Sequence, residues 1–191
     1  MFRELRASIS LFILFFALTG FGYPLLVLQL GQSLFPHQAN GSLIHDNDKI
    51  IGSSLLGQNF TNDLYFHGRP SAAGTGYDAA NSSGSNLGPT SADLMKAVEE
   101  RAADYKKTGV SRIPVDLITT SASGLDPDIS PDAARLQVTR VAMARKLSPI
   151  KVEELVSQSI TLRKFGLLGD NHVNVLDLNC KLDHLASTPS P

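Results

Sequence analysis

The sequence predicts one N-terminal transmembrane helix followed by a mixed α/β extracytoplasmic domain. Three observations lead there. No Asp, Glu, Lys or Arg lies between Arg6 and Asp46, and within that gap Ile9 to Leu30 is a 22-residue apolar tract. Beyond it, short apolar runs of strand type alternate with segments of helical period, the order expected where helices cover a small sheet. Finally, Ser130-Pro131 and Ser148-Pro149 carry the cap-plus-proline signature of helix starts.

Residues 1–8 form a short N-terminus carrying Arg3 and Arg6, and the next basic residue is Lys49. The positive-inside rule therefore places the N-terminus in the cytoplasm and the rest of the chain outside. Residues 9–30 are the anchor: as a helix they extend about 33 Å, against a hydrocarbon core of roughly 30 Å. Gly20, Gly22 and Pro24 interrupt it, which a membrane helix tolerates. Gly20 and Gly22 also offer a small-residue face for a docking helix. The alternative is a cleaved signal peptide with Ile9–Leu18 as its apolar region and a cut near Gly20-Phe21-Gly22. Such a cut would leave the apolar run Tyr23–Leu30 on the product, so a retained anchor is expected.

Residues 31–40 read as a polar connector, and 41–185 as the outer domain. Ser42–His45 and Lys49–Ser53, around Asp46-Asn47-Asp48, predict a small hairpin. Leu64–His67 predicts a short strand. Thr90 with Asp93 predicts a capped helix whose inner face holds Leu94, Val98, Ala102 and Tyr105, ending near Gly109. Val115–Thr120 predicts another strand, Ser130 the cap of a second helix with Ala134, Val138, Val141, Ala142 and Arg145 on one side, and Ser148 that of a third. Val173–Asn179 predicts a last strand, and 186–191 a disordered Ser/Pro tail.

Composition narrows the function. Acids and bases nearly cancel, 18 against 17, and the basic residues are dispersed. Nucleic acid binding, which needs a concentrated positive face, is not expected. Cys180 is the only cysteine, which excludes an intrachain disulfide and a Cys-based metal cage. The five histidines lack the paired spacing of a zinc site.

Gly52-Ser53-Ser54-Leu55-Leu56-Gly57 has the glycine spacing of a phosphate loop, but Gln58-Asn59 stands where Lys-Ser/Thr is needed. Ser54, Gly57 and Gln58 are thus weak nucleotide-contact candidates. Asp126, Asp128 and Ser130 begin like a calcium loop, yet Pro131 occupies the glycine position and Gln137 the last ligand position. Neither a metal site nor a catalytic residue is expected.

Two loops are more particular. Half of Gly68–Ser91 is Gly, Ser or Thr, in the order Gly-Arg-Pro-Ser-Ala-Ala-Gly-Thr-Gly-Tyr-Asp, then Ser-Ser-Gly-Ser-Asn-Leu-Gly-Pro-Thr-Ser. The second is Thr-Thr-Ser-Ala-Ser-Gly-Leu-Asp-Pro-Asp-Ile-Ser-Pro over 119–131. Unlike a repetitive linker, each carries single specialists. Arg69, Tyr77, Asp78, Asn86, Asp126 and Asp128 are the candidates for partner contact, since Tyr and Arg supply much of the energy at protein interfaces. Either the loops face a partner or they pack on each other. Arg69 would clamp a carboxylate such as Asp78, or one on a partner. If both loops leave parallel strands, they share one end of the sheet.

These two strings resemble the C subunit of the bacterial high-affinity potassium-transporting P-type ATPase, the Kdp complex, over about Gly41–Asp183. The resemblance implies a single-span accessory subunit working with a channel-like, potassium-binding A subunit and an ATP-hydrolysing B subunit. It also implies a role in assembly and in efficient ATP use, described for the family as that of a catalytic chaperone. ATP and potassium would be handled by the complex, with no cofactor held by this chain. The competing class is an independent membrane-anchored periplasmic serine hydrolase, which would need a base beside a loop serine.

Overall fold

The computed structural model describes residues 2–46, 48–107 and 109–187, the side chains of Ala186 and Ser187 excepted. Asn47 of the expected hairpin turn and residues 188–191 of the expected tail lie outside the described residues. The backbone divides into two compact units, one ending at Ser53 and one beginning at Ser54.

The first unit opens with α1 (Phe2–Ala17), a π-helical turn (Leu18–Gly22) and α2 (Tyr23–Leu34). Together they form one apolar helix of 33 residues, long enough to cross a membrane and with its side chains exposed. It starts before Ile9 and continues past Leu30, because the single Gly31 is tolerated and no proline follows until Pro36; the break comes at Phe35-Pro36. The π turn has a local cause. Pro24 has no N–H to donate, and its ring would collide with the Gly20 carbonyl in a regular α turn. The chain widens, and the Tyr23 N–H reaches the Leu18 carbonyl instead. A single turn, α3 (Pro36–Ala39), stands within the expected connector. The predicted hairpin follows as β1 (Leu43–Asp46) and β2 (Lys49–Ser53), antiparallel, with a bulge between Ile44 and His45.

The second unit holds α4 (Ala92–Lys107), a 3₁₀ turn (Val115–Leu117), β3 (Asp128–Ile129), α5 (Pro131–Arg145), α6 (Pro149–Gln158), β4 (Ile160–Thr161), β5 (His172–Asn174) and α7 (Val175–Ser187). The strands form an antiparallel sheet in the order β3-β5-β4, with Val173 facing Ile129 on one side and Ile160 on the other. Val138, Val141, Val152, Val156, Leu178 and Leu182 from the three C-terminal helices close over Val173 and Phe66 to make the core. As the sequence predicts, Ser130 caps α5: its Oγ accepts the Ala133 N–H at 3.1 Å. Asp116 adds a second tie by accepting the Ser130 N–H at 2.6 Å and its hydroxyl at 3.1 Å.

Several elements differ from expectation. The first capping hydroxyl is that of Ser91, not Thr90, and accepts the Leu94 N–H at 3.4 Å. The predicted strand Val115–Thr120 does not form: Val115–Leu117 is a 3₁₀ turn, closed by Ile118 N–H to the Val115 carbonyl. The last predicted strand stops at Asn174, where the Asn174 side chain accepts the Asp177 N–H at 3.1 Å and caps a helix. That helix runs to Ser187, past the expected end of order at Leu185.

Leu64–His67 forms no strand: Leu64 lies in a turn that the Tyr65 N–H closes on the Asn62 carbonyl at 3.0 Å, and the segment pairs with no strand among the described residues. Asn62 takes the Leu64 and Tyr65 N–H groups, and helix side chains satisfy the rest of the segment's backbone. Asn179 accepts the Phe66 N–H at 2.8 Å and donates to the Phe66 carbonyl at 3.0 Å. Gln137 does the same for His67, at 2.8 and 3.0 Å. Arg140 donates to the carbonyls of Asp63 and Tyr65, and Arg145 to that of Leu64.

Candidate functional site

The first glycine-rich loop leaves this side-chain cradle at Gly68 and folds against the second. Arg69 Nη1 lies 2.9 Å from Asp126 Oδ2, and Nη2 donates to the Thr120 carbonyl at 3.4 Å. Asp126, not Asp78, is therefore the carboxylate of the Arg69 clamp. The Ser71 hydroxyl donates to the Gly124 carbonyl at 2.6 Å and accepts the Tyr77 N–H at 2.8 Å. Tyr77 turns its phenol back to the Arg69 carbonyl at 2.5 Å. Ser82 donates to the Ser123 carbonyl at 2.9 Å.

Close approach explains two glycines. A Cβ on Gly57 would sit 2.6 Å from the Asp126 carbonyl oxygen and 2.8 Å from the Tyr77 ring. One on Gly124, at φ +66°, would sit 2.6 Å from both Ala73 N and Ser83 O. Antiparallel strands do not bring the loops together, as the parallel arrangement would have. Their own hydrogen bonds do.

Arg69, Tyr77 and Asp126 thus form one cluster. Asp78 stays local: its carboxylate accepts the Asn81 side-chain amide at 2.5 Å and the Ala80 N–H at 2.9 Å. Those bonds, Asn81 first, hold it below the usual aspartate range. Asn86 is exposed, with its backbone in the left-handed region at φ 54°. Asp128 accepts the Asn174 amide at 3.1 Å and lies 3.9 Å from His172 Nε2. Its half-burial raises its pKa despite these neighbours. Gly57 spends its N–H on the Leu125 carbonyl at 2.8 Å, and the chain enters no helix after Gln58 until Ala92. A phosphate loop needs free amides at a helix start. Gly20 and Gly22 lie in the exposed π turn of the membrane helix.

Beside the clamp runs an open groove of about 440 Å³, whose walls include His67, Arg69, Tyr77, Arg101 and Tyr105. Burial, helped by the Arg140 charge, lowers the His67 pKa. Burial, with the Asp126 charge behind it, raises that of Tyr77. The groove therefore presents two guanidinium groups, of Arg69 and Arg101, beside two phenols and an imidazole whose pKa burial lowers. Ser71, Ser82 and Ser83 give their hydroxyls to backbone carbonyls, while Ser121 and Ser123 accept backbone N–H groups. These are turn-forming roles, not the base-activated arrangement that a serine nucleophile requires.

A family model for KdpC, the c chain of the K⁺-transporting ATPase, matches residues 5–184. The chain belongs to the KdpC family. Curated relatives named potassium-transporting ATPase KdpC subunit agree over nearly full length. The one from Acidobacterium capsulatum is 52% identical over 183 residues, covering 96% of this chain and 99% of its own. That from Gemmatimonas aurantiaca is 50% identical, covering 98% and 96%. That from Mycobacterium tuberculosis is 48% identical, covering 96% and 99%. The match to the KdpC model takes in all but the first residues of the apolar helix, and both loops.

The residues that sequence reading missed are the buried amides Gln137 and Asn179. A signal was there for Gln137: it falls on the same face as Ala133, Ala134, Val138 and Val141, where a polar side chain needs a dedicated partner.

Proposed function

We propose that the chain is the non-catalytic accessory subunit of an ATP-driven potassium-import pump. It joins the channel-like A subunit and the P-type B subunit and is needed for their assembly and for efficient ATP use. The observation that carries this reading is the family match across residues 5–184. Arg3 and Arg6 in the first turns of the helix, with no Lys or Arg after them until Lys49, favour a cytoplasmic N-terminus and a periplasmic domain. In that orientation the domain acts from the potassium-entry side, and its effect on ATP use is a coupling free energy passed through the complex. The groove beside Arg69 and the exposed Asn86 supply surface for docking to the A subunit, while Gly20 and Gly22 supply the helix contact. The spent Gly57 amide and the missing lysine at Gln58 argue against nucleotide held directly by this chain.

The test is co-expression of the tagged full chain with the A and B subunits. All three should co-purify, and potassium-stimulated ATPase activity should fall at least tenfold when the chain is omitted. A complex that assembles and turns over equally well without it would refute the reading. A reporter fused after Leu185 should be active only outside the cytoplasm, and cytoplasmic activity would overturn the orientation.

A further inference from the structure

The ten residues between β4 and β5 make a turn that exposes a cluster of large apolar side chains. Phe165 is 90% exposed and Leu167 84%, with Leu162 and Leu168 alongside at 69% and 64%. Single exposed apolar residues need no explanation, but four on one projecting turn do. Nor is the turn loose. Lys164 and Leu168 exchange backbone hydrogen bonds at 2.9 Å in each direction. The Leu167 N–H adds one to the Lys164 carbonyl at 3.2 Å, and Asn171 accepts the Arg163 N–H at 3.0 Å. Phe165 itself is held at φ 55°, the left-handed region, where a bulky side chain is an outlier. The backbone accepts that cost in order to point a phenyl ring outward, and strain of this kind gathers at sites of contact.

We infer that this turn is a preformed plug inserted into another subunit of the ATPase, in an apolar socket with a carboxylate at its rim. The inference rests on the accessory-subunit reading above. Charge selects the occupant. Arg163 lies 3.5 Å from Asp170, which leaves Lys164 beside Phe165 as the local excess charge, matched by one acidic group. A lipid surface fits less well: anionic bilayers are engaged by clusters of basic residues, and Asp170, its side chain 94% exposed, would face the headgroups. A second copy of this chain meeting tip to tip would set Lys164 against Lys164. A rigid apolar tip also loses little entropy on docking, which favours a shaped socket.

Photocrosslinking in the co-expressed complex tests this directly, with p-benzoylphenylalanine placed at position 165 of the full chain. An adduct with the A or B subunit is the expected result. An adduct with lipid or with a second copy of the chain, or no adduct at all, would overturn the inference. Independently, the Leu167→Ser/Leu168→Ser variant should retain at least tenfold less A and B subunit on the tagged chain. Its thermal melt should match wild type, since both side chains are exposed. Undiminished retention would overturn the plug while leaving the accessory role standing. Wild-type chain that retains neither subunit would instead defeat that role.

Discussion

Arg69 and Asp126, 57 positions apart in the chain, meet at 2.9 Å and tie the two glycine-rich loops into one surface. Each side chain is about a quarter exposed, so the pair is neither a free surface ion pair nor a fully buried one. Around it, Ser71 binds the Gly124 carbonyl and Tyr77 binds the Arg69 carbonyl. Residues that sequence alone offers as partner anchors thus also hold the loops in shape. The two roles are compatible, because one edge of each side chain still faces a groove.

Arg69→Ala should therefore destabilise the full chain by about 1–2 kcal/mol, between the values for exposed pairs and those for charged hydrogen bonds. Asp126→Ala should cost a similar amount. Chemical unfolding of both single variants and the double variant forms a cycle, with a coupling of at least ~0.5 kcal/mol expected. Additive losses would mean the contact carries no energy. Arg69→Lys should recover less than half, because an ammonium cannot reach Asp126 and the Thr120 carbonyl together.

Glycine positions give a sharper contrast. Gly124→Ala places a methyl 2.6 Å from two backbone atoms at φ +66° and should cost more than about 2 kcal/mol. Gly88→Ala, with nothing within 4 Å and an ordinary φ, should change stability by less than roughly 0.5 kcal/mol. Equal melting temperatures for the two variants would contradict the close packing of the loops.

Patterns set by local chemistry were legible: the apolar tract, the hairpin around Asp48, the Ser130 cap and the buried stripe of α5. The apolar helix's full length was not, since Gly31, Gln32 and Ser33 read as connector, yet the segment has no proline and a single glycine does not end the helix. The strand over 64–67 was misread for a deeper reason. An apolar run with unsatisfied backbone groups looks the same in sequence whether a strand or a side chain completes it. Arg69 was identified as a clamp for Asp78 or for a carboxylate on a partner, but its partner, Asp126, lay 57 residues away and only the fold could supply it.

Acidification should weaken the domain through His67. Burial and the Arg140 charge hold its folded pKa below the ordinary 6.5, so the unfolded chain binds the proton more readily. The stability that neutral His67 supports is fully present above that value and is lost as pH falls through the folded pKa. Asp128 works oppositely. Its folded pKa is raised by burial, so its contribution is present below the ordinary 3.8 and is lost as pH rises through its raised folded value. Between pH 7.5 and 5.5, melts of wild type and His67→Gln should converge. Parallel curves would show that His67 does not titrate differently on folding.

The strongest stability prediction concerns Asn179, which is 2% exposed and bonds both backbone groups of the fully buried Phe66. Asn179→Leu keeps the volume but leaves an N–H and a carbonyl without partners where water has no access. Each orphan costs about 1–3 kcal/mol, so a loss of roughly 2–5 kcal/mol is expected. Gln137→Leu removes the equivalent pair from His67, along with an acceptor for Arg140 and a donor to the Ala133 carbonyl. His67 is only partly buried, so water can replace some of those bonds and the loss should be smaller. Hydrogen exchange on the full chain separates this account from general loosening. In Asn179→Leu the Phe66 amide should lose more protection than core amides of α5, such as that of Val141. Uniform loss across the domain would mean that Asn179 supports the core as a whole and does not hold the 64–67 segment specifically.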